Sequence, residues 1–300
     1  MSRAYHLETT RGAFVDTYTT LIEVTELAQS LTAPDLRVVD TRFLLADPGA
    51  GEQAYRQGHI PGAAYLHLER DLSGPVTPTS GRHPLPDPRI LAACLGRAGI
   101  GNEDQVVVYD DAAGAIAARL WWLLRWLGHT RVAVLNGGLA AWSSAGFDLE
   151  PGTVKPGPGS FFPAAGSVHA VTVEELLGRR GKAPRLLVDA RERPRFLGQM
   201  EPIDPVAGRI PGSVNVPFAE NLDPAGRMLD APELKRKWRQ VLGDTQPNAV
   251  ACLCGSGVTA CLDLLALEVA GMPGAALYAG SWSEWIRDPE RPIAVGESGA

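Results

Sequence analysis

The chain repeats itself once. Val38-Val39-Asp40-Thr41-Arg42 returns as Leu187-Val188-Asp189-Ala190-Arg191. Gly58-His59-Ile60-Pro61-Gly62-Ala63 returns as Gly208-Arg209-Ile210-Pro211-Gly212-Ser213. Leu135-Asn136-Gly137-Gly138, closed by Trp142, returns as Tyr278-Ala279-Gly280-Ser281, closed by Trp285. The offsets are 149 residues (Asp40 to Asp189), 150 (Gly58 to Gly208) and 143 (Trp142 to Trp285). One order kept three times over marks a duplicated domain. Solenoid units run to roughly 20–50 residues, so this period is far too long for one. Two domains also suit 300 residues at roughly 100–200 per domain.

Within each copy, short apolar runs alternate with helix-like segments. Leu36 to Val39, Gln105 to Tyr109, Val132 to Leu135, Arg185 to Val188, Ala249 to Leu253 and Ala275 to Tyr278 read as buried strands. Ala115 to Trp126 and Val258 to Ala270 read as helices, and Thr172-Val173-Glu174-Glu175 as a capping box opening another. Such alternation predicts an α/β fold, each copy a mostly parallel sheet flanked by helices. The Pro- and Gly-rich stretch after Glu150 reads as a connection. The expected division is therefore an N-terminal domain over 1–150, a linker over 151–166 and a C-terminal domain over 167–300.

Composition narrows the function by exclusion. Hydrophobic residues make up 45% and charged residues 21%, with a net charge of -6, so there is no basic footprint for nucleic acid. No run of 18 or more apolar residues reads as a membrane span, and the N-terminal stretch lacks a secretory pattern. Four cysteines in a chain of this length do not make a disulfide scaffold. A cytoplasmic setting, where thiols stay reduced, is the expectation.

One of those cysteines stands apart. Cys94, Cys252 and Cys261 read as small buried hydrophobes. Cys254 follows an apolar strand and opens Cys254-Gly255-Ser256-Gly257-Val258-Thr259-Ala260, which runs into an apolar helix. Open α/β sheets bind ligands at the carboxyl ends of their strands. Backbone N–H groups of a Gly-rich turn and the helix's positive end favour an anion there, so a thiolate nucleophile is expected at Cys254. Aligning the copies places Asp110 opposite Cys254, which leaves the first copy without a nucleophile.

At these residues the sequence resembles the tandem-domain rhodanese family, and its Cys-Gly-Ser-Gly-Val-Thr-Ala loop is closest to the mercaptopyruvate sulfurtransferases. The likeness extends to His59–Ala63, Leu135–Gly138 and Gly280–Trp285. It implies two rhodanese-like domains with the catalytic one C-terminal, and sulfur carried as a Cys254 persulfide. It also implies Arg195 as the substrate-binding arginine, and Ser256 in a proton relay with a histidine and an aspartate of the N-terminal domain, here expected at His59 and Asp40. Gly255, Gly257, Val258 and Thr259 would complete the substrate loop. One departure stands out: the family's second arginine, a few residues after a Glu-Pro pair, is missing from Glu201-Pro202-Ile203-Asp204-Pro205. Arg82 and Arg209 are the candidate replacements.

The implied reaction passes sulfur from 3-mercaptopyruvate to a small thiol, a thioredoxin-like protein or cyanide, with no metal or other cofactor. Three alternatives stay open. Thiosulfate could be the donor, although the loop carries no basic side chain at Gly255 or Ser256. The chain could be a persulfide carrier that binds a partner and turns over little. A phosphatase would need an arginine where Ala260 stands.

Overall fold

Among the described residues, ten short strands build two sheets of one winding. The structure is a computed structural model describing residues 17–179, 184 and 186–297. The N-terminal stretch read for a leader, and Arg185, read as a strand start, lie outside the described residues. In the first copy Leu21–Ile22 (β1), Leu36–Asp40 (β2), Ala64–Tyr65 (β3), Gln105–Tyr109 (β4) and Val132–Leu135 (β5) lie in the order β1-β5-β4-β2-β3. In the second, Ala170–Val171 (β6), Leu186–Asp189 (β7), Val214–Asn215 (β8), Val250–Leu253 (β9) and Ala276–Tyr278 (β10) lie in the order β6-β10-β9-β7-β8. All pairs are parallel. The strands β4, β5 and β9 are buried throughout, as parallel strands covered on both faces must be.

The first two repeated motifs are the two ends of one contact. Arg42 pairs with Asp40 at 2.6 Å and donates from Nη2 to the Gly58 carbonyl at 2.8 Å. Arg191 pairs with Asp189 at 2.7 Å and donates to the Gly208 carbonyl at 2.8 Å. All four side chains are buried. A buried guanidinium is tolerable only where an anion and further acceptors meet its donors, so aspartate, arginine and the glycine turn recur together.

Two helices join the copies. Ala117–Trp126 and Ala260–Val269 are buried almost all round, as their nearly continuous apolar sequence requires. They pack on one another, with Arg125 reaching Glu268 at 3.2 Å, and one apolar core runs through both domains. Each starts two residues later than the sequence pattern implies. In the first copy the reason is visible: the N–H groups of Ile116 and Ala117 turn back to Asp110 instead of propagating a helix toward Ala115. The Pro- and Gly-rich stretch lies along the first copy, where Gly159 N–H donates to Gly96, Ala164 N–H to Leu127, and Phe161 is buried. The capping box forms as read, with reciprocal bonds between Thr172 and Glu175.

Asp110 explains why the first copy's loop is closed to chemistry. Its carboxylate accepts from Ala112 and Gly114 N–H on one oxygen and from Ile116 and Ala117 N–H on the other, at 2.7–2.9 Å. Burial raises its pKa and the four N–H groups oppose that. The anion cradle is filled by the chain's own side chain. Replacing Asp110 with Ala leaves four inward donors without their acceptor, and we expect a stability loss of about 3 kcal/mol in urea unfolding. A loss below about 1 kcal/mol would mean that the loop refolds around water.

Candidate active site

Cys254 follows the last residue of β9, at the carboxyl edge of the sheet. Its Sγ accepts from the Gly257 N–H at 3.2 Å. That geometry needs glycine: Gly257 has φ +76°, and a Cβ there would lie 2.3 Å from the Ala279 carbonyl oxygen. The third repeated motif braces the turn from below. Ser281 Oγ accepts from Cys254 N–H, while Trp282 and Ser283 N–H donate to the carbonyls of Cys254 and Gly255 at 3.0 and 2.9 Å. Arg191 stacks over the Trp282 ring at 4.8 Å. The first and third duplicated motifs thus meet beneath one loop in the second copy.

The other three cysteines are also buried and free. Burial pushes Cys94 up to about 11, Cys261 up to about 12 and Cys252 well above its usual value, so they stay neutral thiols at pH 7. Cys254 differs in opening onto a cleft of about 150 Å³, with Gly255, Ser256, Val258 and Thr259 along its floor. Phe43, Leu45, Leu68, Ile116 and Ile203 give it apolar walls, and Arg82 and Arg195 a charged rim. A space this small admits a compact donor and little more.

The loop's own side chains are neutral, as read, yet the cleft is not. A Cβ on Gly255 would sit 3.3 Å from Arg82 Nη2 and 3.5 Å from Arg195 Nη2. Glu201 holds Arg195 through two oxygens at 2.7–3.1 Å. Asp204 then spans the cleft, accepting from Arg82 at 2.7 Å and from Arg195 at 3.2 Å. The sequence reading missed Asp204, whose buried carboxylate brings the two cations together.

Three of the residues expected at the site lie elsewhere. The histidine meeting Ser256 is His83, with Nδ1 2.7 Å from Ser256 Oγ. His59 is instead fully buried in the first copy's own turn, stacked on Tyr55 at 4.1 Å with Nδ1 against the Tyr55 carbonyl. Asp40 is occupied by Arg42, which takes both its oxygens. Arg209, the counterpart of His59, donates to the Gly296 carbonyl and lies over the Phe196 ring at 4.7 Å, outside the cleft lining. The family resemblance puts the relay at His59 and Asp40, but both lie in a repeated motif whose contacts are made within the first copy. His83 has no counterpart in the second copy, and only its place beside Arg82 could have marked it.

His83 is nearly fully buried. Burial, with Arg82 and Arg119 nearby, pulls it down to about 3, so the ring is neutral at pH 7. A neutral ring bonded to a hydroxyl through Nδ1 can accept the Ser256 proton while Nε2 carries the ring's own. Nε2 points toward Glu69, 3.5 Å from its Oε1. Ser256 and His83 thus share a hydrogen bond at the cleft, while Nε2 is buried with no hydrogen-bond partner among the described residues. Among the described residues no cluster of His, Cys, Asp and Glu could hold a metal ion.

The rhodanese-like domain matches residues 23–145 and 172–288. The chain is 49% identical over 282 residues to a Pseudomonas aeruginosa protein named probable 3-mercaptopyruvate sulfurtransferase, covering 92% of this chain and 98% of that one. It is 34% identical over 295 residues to the thiosulfate sulfurtransferase of Rattus norvegicus, covering 94% and 97%. The structure of 3-mercaptopyruvate sulfurtransferase from Leishmania major superposes with a TM-score of 0.78 at 29% identity, over 89% of this chain and 74% of that one.

The histidine assignment can be checked directly. Replacing His83 with Asn should lower kcat on the order of a hundredfold in a sulfur-transfer assay, as removal of a general acid–base group does. His59→Asn should cost less than about threefold per folded molecule, since that ring meets only its own domain. The reverse ranking would reinstate His59. With two rhodanese-like domains spanning most of its length, this chain belongs to the rhodanese family and is a sulfurtransferase.

Proposed function

We propose that this sulfurtransferase takes sulfur from 3-mercaptopyruvate and carries it as a persulfide on Cys254. The observation carrying this reading is a cysteine sulfur, held by a backbone N–H, at the floor of a small cleft with apolar walls and an arginine rim. The donor's carboxylate pairs with Arg195 and Arg82 at the rim, and its carbon skeleton meets Phe43, Leu68 and Ile116. Thiosulfate would bring a second charge into a cleft whose two arginines are already tied to Asp204 and Glu201, and burying that charge against apolar walls costs desolvation. The relative named for 3-mercaptopyruvate is also the more similar of the two compared above.

The reaction proceeds in two displacements. The Cys254 thiolate attacks the donor sulfur, and the donor's carbon–sulfur bond breaks with its electron pair going to carbon. The resulting enolate takes a proton delivered through Ser256 and His83 and leaves as pyruvate. An acceptor thiolate, from a small thiol or a thioredoxin-like protein, or cyanide, then attacks the outer sulfur and releases Cys254 as thiolate. Neither displacement calls for a metal or a redox cofactor. No helix among the described residues is long and apolar enough to cross a membrane. Reduced thiols are needed for turnover, so we assign the reaction to the cytoplasm.

Cys254→Ser should abolish transfer from every donor while leaving the thermal transition in place, because a hydroxyl forms no persulfide. Substantial residual turnover would move the nucleophile elsewhere. Arg195→Ala should raise KM for 3-mercaptopyruvate about tenfold to a hundredfold with a smaller change in kcat. An unchanged KM would place the carboxylate elsewhere. Wild-type kcat/KM should be higher for 3-mercaptopyruvate than for thiosulfate; equal or greater values with thiosulfate would overturn the donor and spare the persulfide.

A further inference from the structure

Arg119 is fully buried, in the first turn of the helix Ala117–Trp126, within the domain that carries no nucleophile. Its Nη1 donates across the domain boundary to the Gly257 carbonyl at 3.0 Å, and its Nη2 to the His83 carbonyl at 3.2 Å. Nε is buried without an acceptor. Among the described residues no carboxylate lies within ion-pair distance of it. Arg42 has Asp40, Arg191 has Asp189 and Arg125 has Glu268; Arg209, also buried, has no carboxylate partner among the described residues either, but it lies over the Phe196 ring, outside the cleft lining. A guanidinium cannot shed its charge, and a buried cation that meets two carbonyl groups and the thiol of Cys261 but no carboxylate is poorly compensated.

Within electrostatic reach of Arg119 lie the His83 ring, neutral at pH 7, and the thiols of Cys261 and Cys254. Cys261 is pushed up to about 12 by burial and gives its S–H to the Gly257 carbonyl, so it stays neutral. Cys254 remains. Gly257 connects the two, taking Arg119 on its carbonyl and giving its N–H to Cys254 Sγ.

We propose that Arg119 is a positioning residue that supplies the countercharge for the anionic sulfur of Cys254 from the non-catalytic domain. The proposal rests on the reading of Cys254 as nucleophile. The other charges around the sulfur are already matched. Arg191 is neutralised by Asp189, and at the mouth Arg82 and Arg195 are tied to Asp204 and Glu201. His83 and Cys252 are neutral at pH 7. Arg119 therefore contributes the unmatched positive charge, placed behind the loop where a donor does not displace it. The first copy is retained, on this view, because the second cannot hold its sulfur anion alone.

The test is the rate of Cys254 alkylation by iodoacetamide in the full-length protein, with the labelled peptide identified by mass spectrometry. Arg119→Gln should react about tenfold more slowly than wild type at pH 7 and equally fast at pH 10, where the thiol is ionised in both. Arg119→Lys, which keeps the charge and loses the fork, should stay within about threefold of wild type at both pH values. Equal rates at pH 7 for wild type and Arg119→Gln would overturn the proposal. Should Arg119→Gln not fold, Arg119→Lys decides: a tenfold loss at pH 7 despite the retained charge would overturn it, and wild-type reactivity would support it. If the fast-reacting residue of the wild type is not Cys254, the nucleophile assignment fails instead, which separates the two claims.

Discussion

The packing of helix Ala117–Trp126 against helix Ala260–Val269 is the contact on which the site depends. Each helix follows the loop that its sheet presents for chemistry, so seating one on the other brings the two loops together. The first copy's loop is filled by Asp110, and the second's opens at Cys254. Residues that could not reach Cys254 from its own domain then arrive from the other: His83 on Ser256, Arg82 above Gly255, and Arg119 on Gly257. Both helices are apolar nearly all round, and neither could be left exposed. Joining the domains and assembling the site are consequences of one burial.

Charge in the cleft is arranged in layers. A turn of glycines and small residues offers N–H groups and little else, which suits a sulfur that must change partners. Cations stand outside that turn, matched at the mouth by Asp204 and Glu201 and unmatched behind it at Arg119. An anionic donor can exchange with Asp204 at the rim without disturbing the charge behind the sulfur. The sulfur sits where the field is set by the scaffold.

Much of this was readable from the residues. The duplication gave the two domains. Apolar runs gave the central strands within a residue or so, because a strand buried on both faces carries a continuous signal. The Cys254 loop stands out because strand, glycine turn and helix coincide there. The short edge strands β1, β3, β6 and β8 were missed, being two residues each with no periodicity to detect. The resemblance puts the relay at His59 and Asp40, whereas the contact to Ser256 comes from His83. His59 and Asp40 lie in a motif conspicuous by repetition, but the motif repeats because each copy needs an arginine clasped to a glycine carbonyl. The histidine bonded to Ser256 occurs once, in an irregular segment, and is defined by a contact 173 residues away. Arg119 and Asp204 were invisible for the same reason, since their roles arise only when the domains meet.

The central claim is that sulfur leaves the donor as a persulfide on Cys254, and a single turnover without acceptor tests it most directly. Protein mixed with an excess of 3-mercaptopyruvate and no thiol or cyanide should release one pyruvate per chain in a burst and then stop. Mass spectrometry of the digested product should place one extra sulfur on the peptide containing Cys254, removable by a thiol. Steady pyruvate release with no acceptor, or the extra sulfur on a peptide bearing Cys94 or Cys261, would contradict the account.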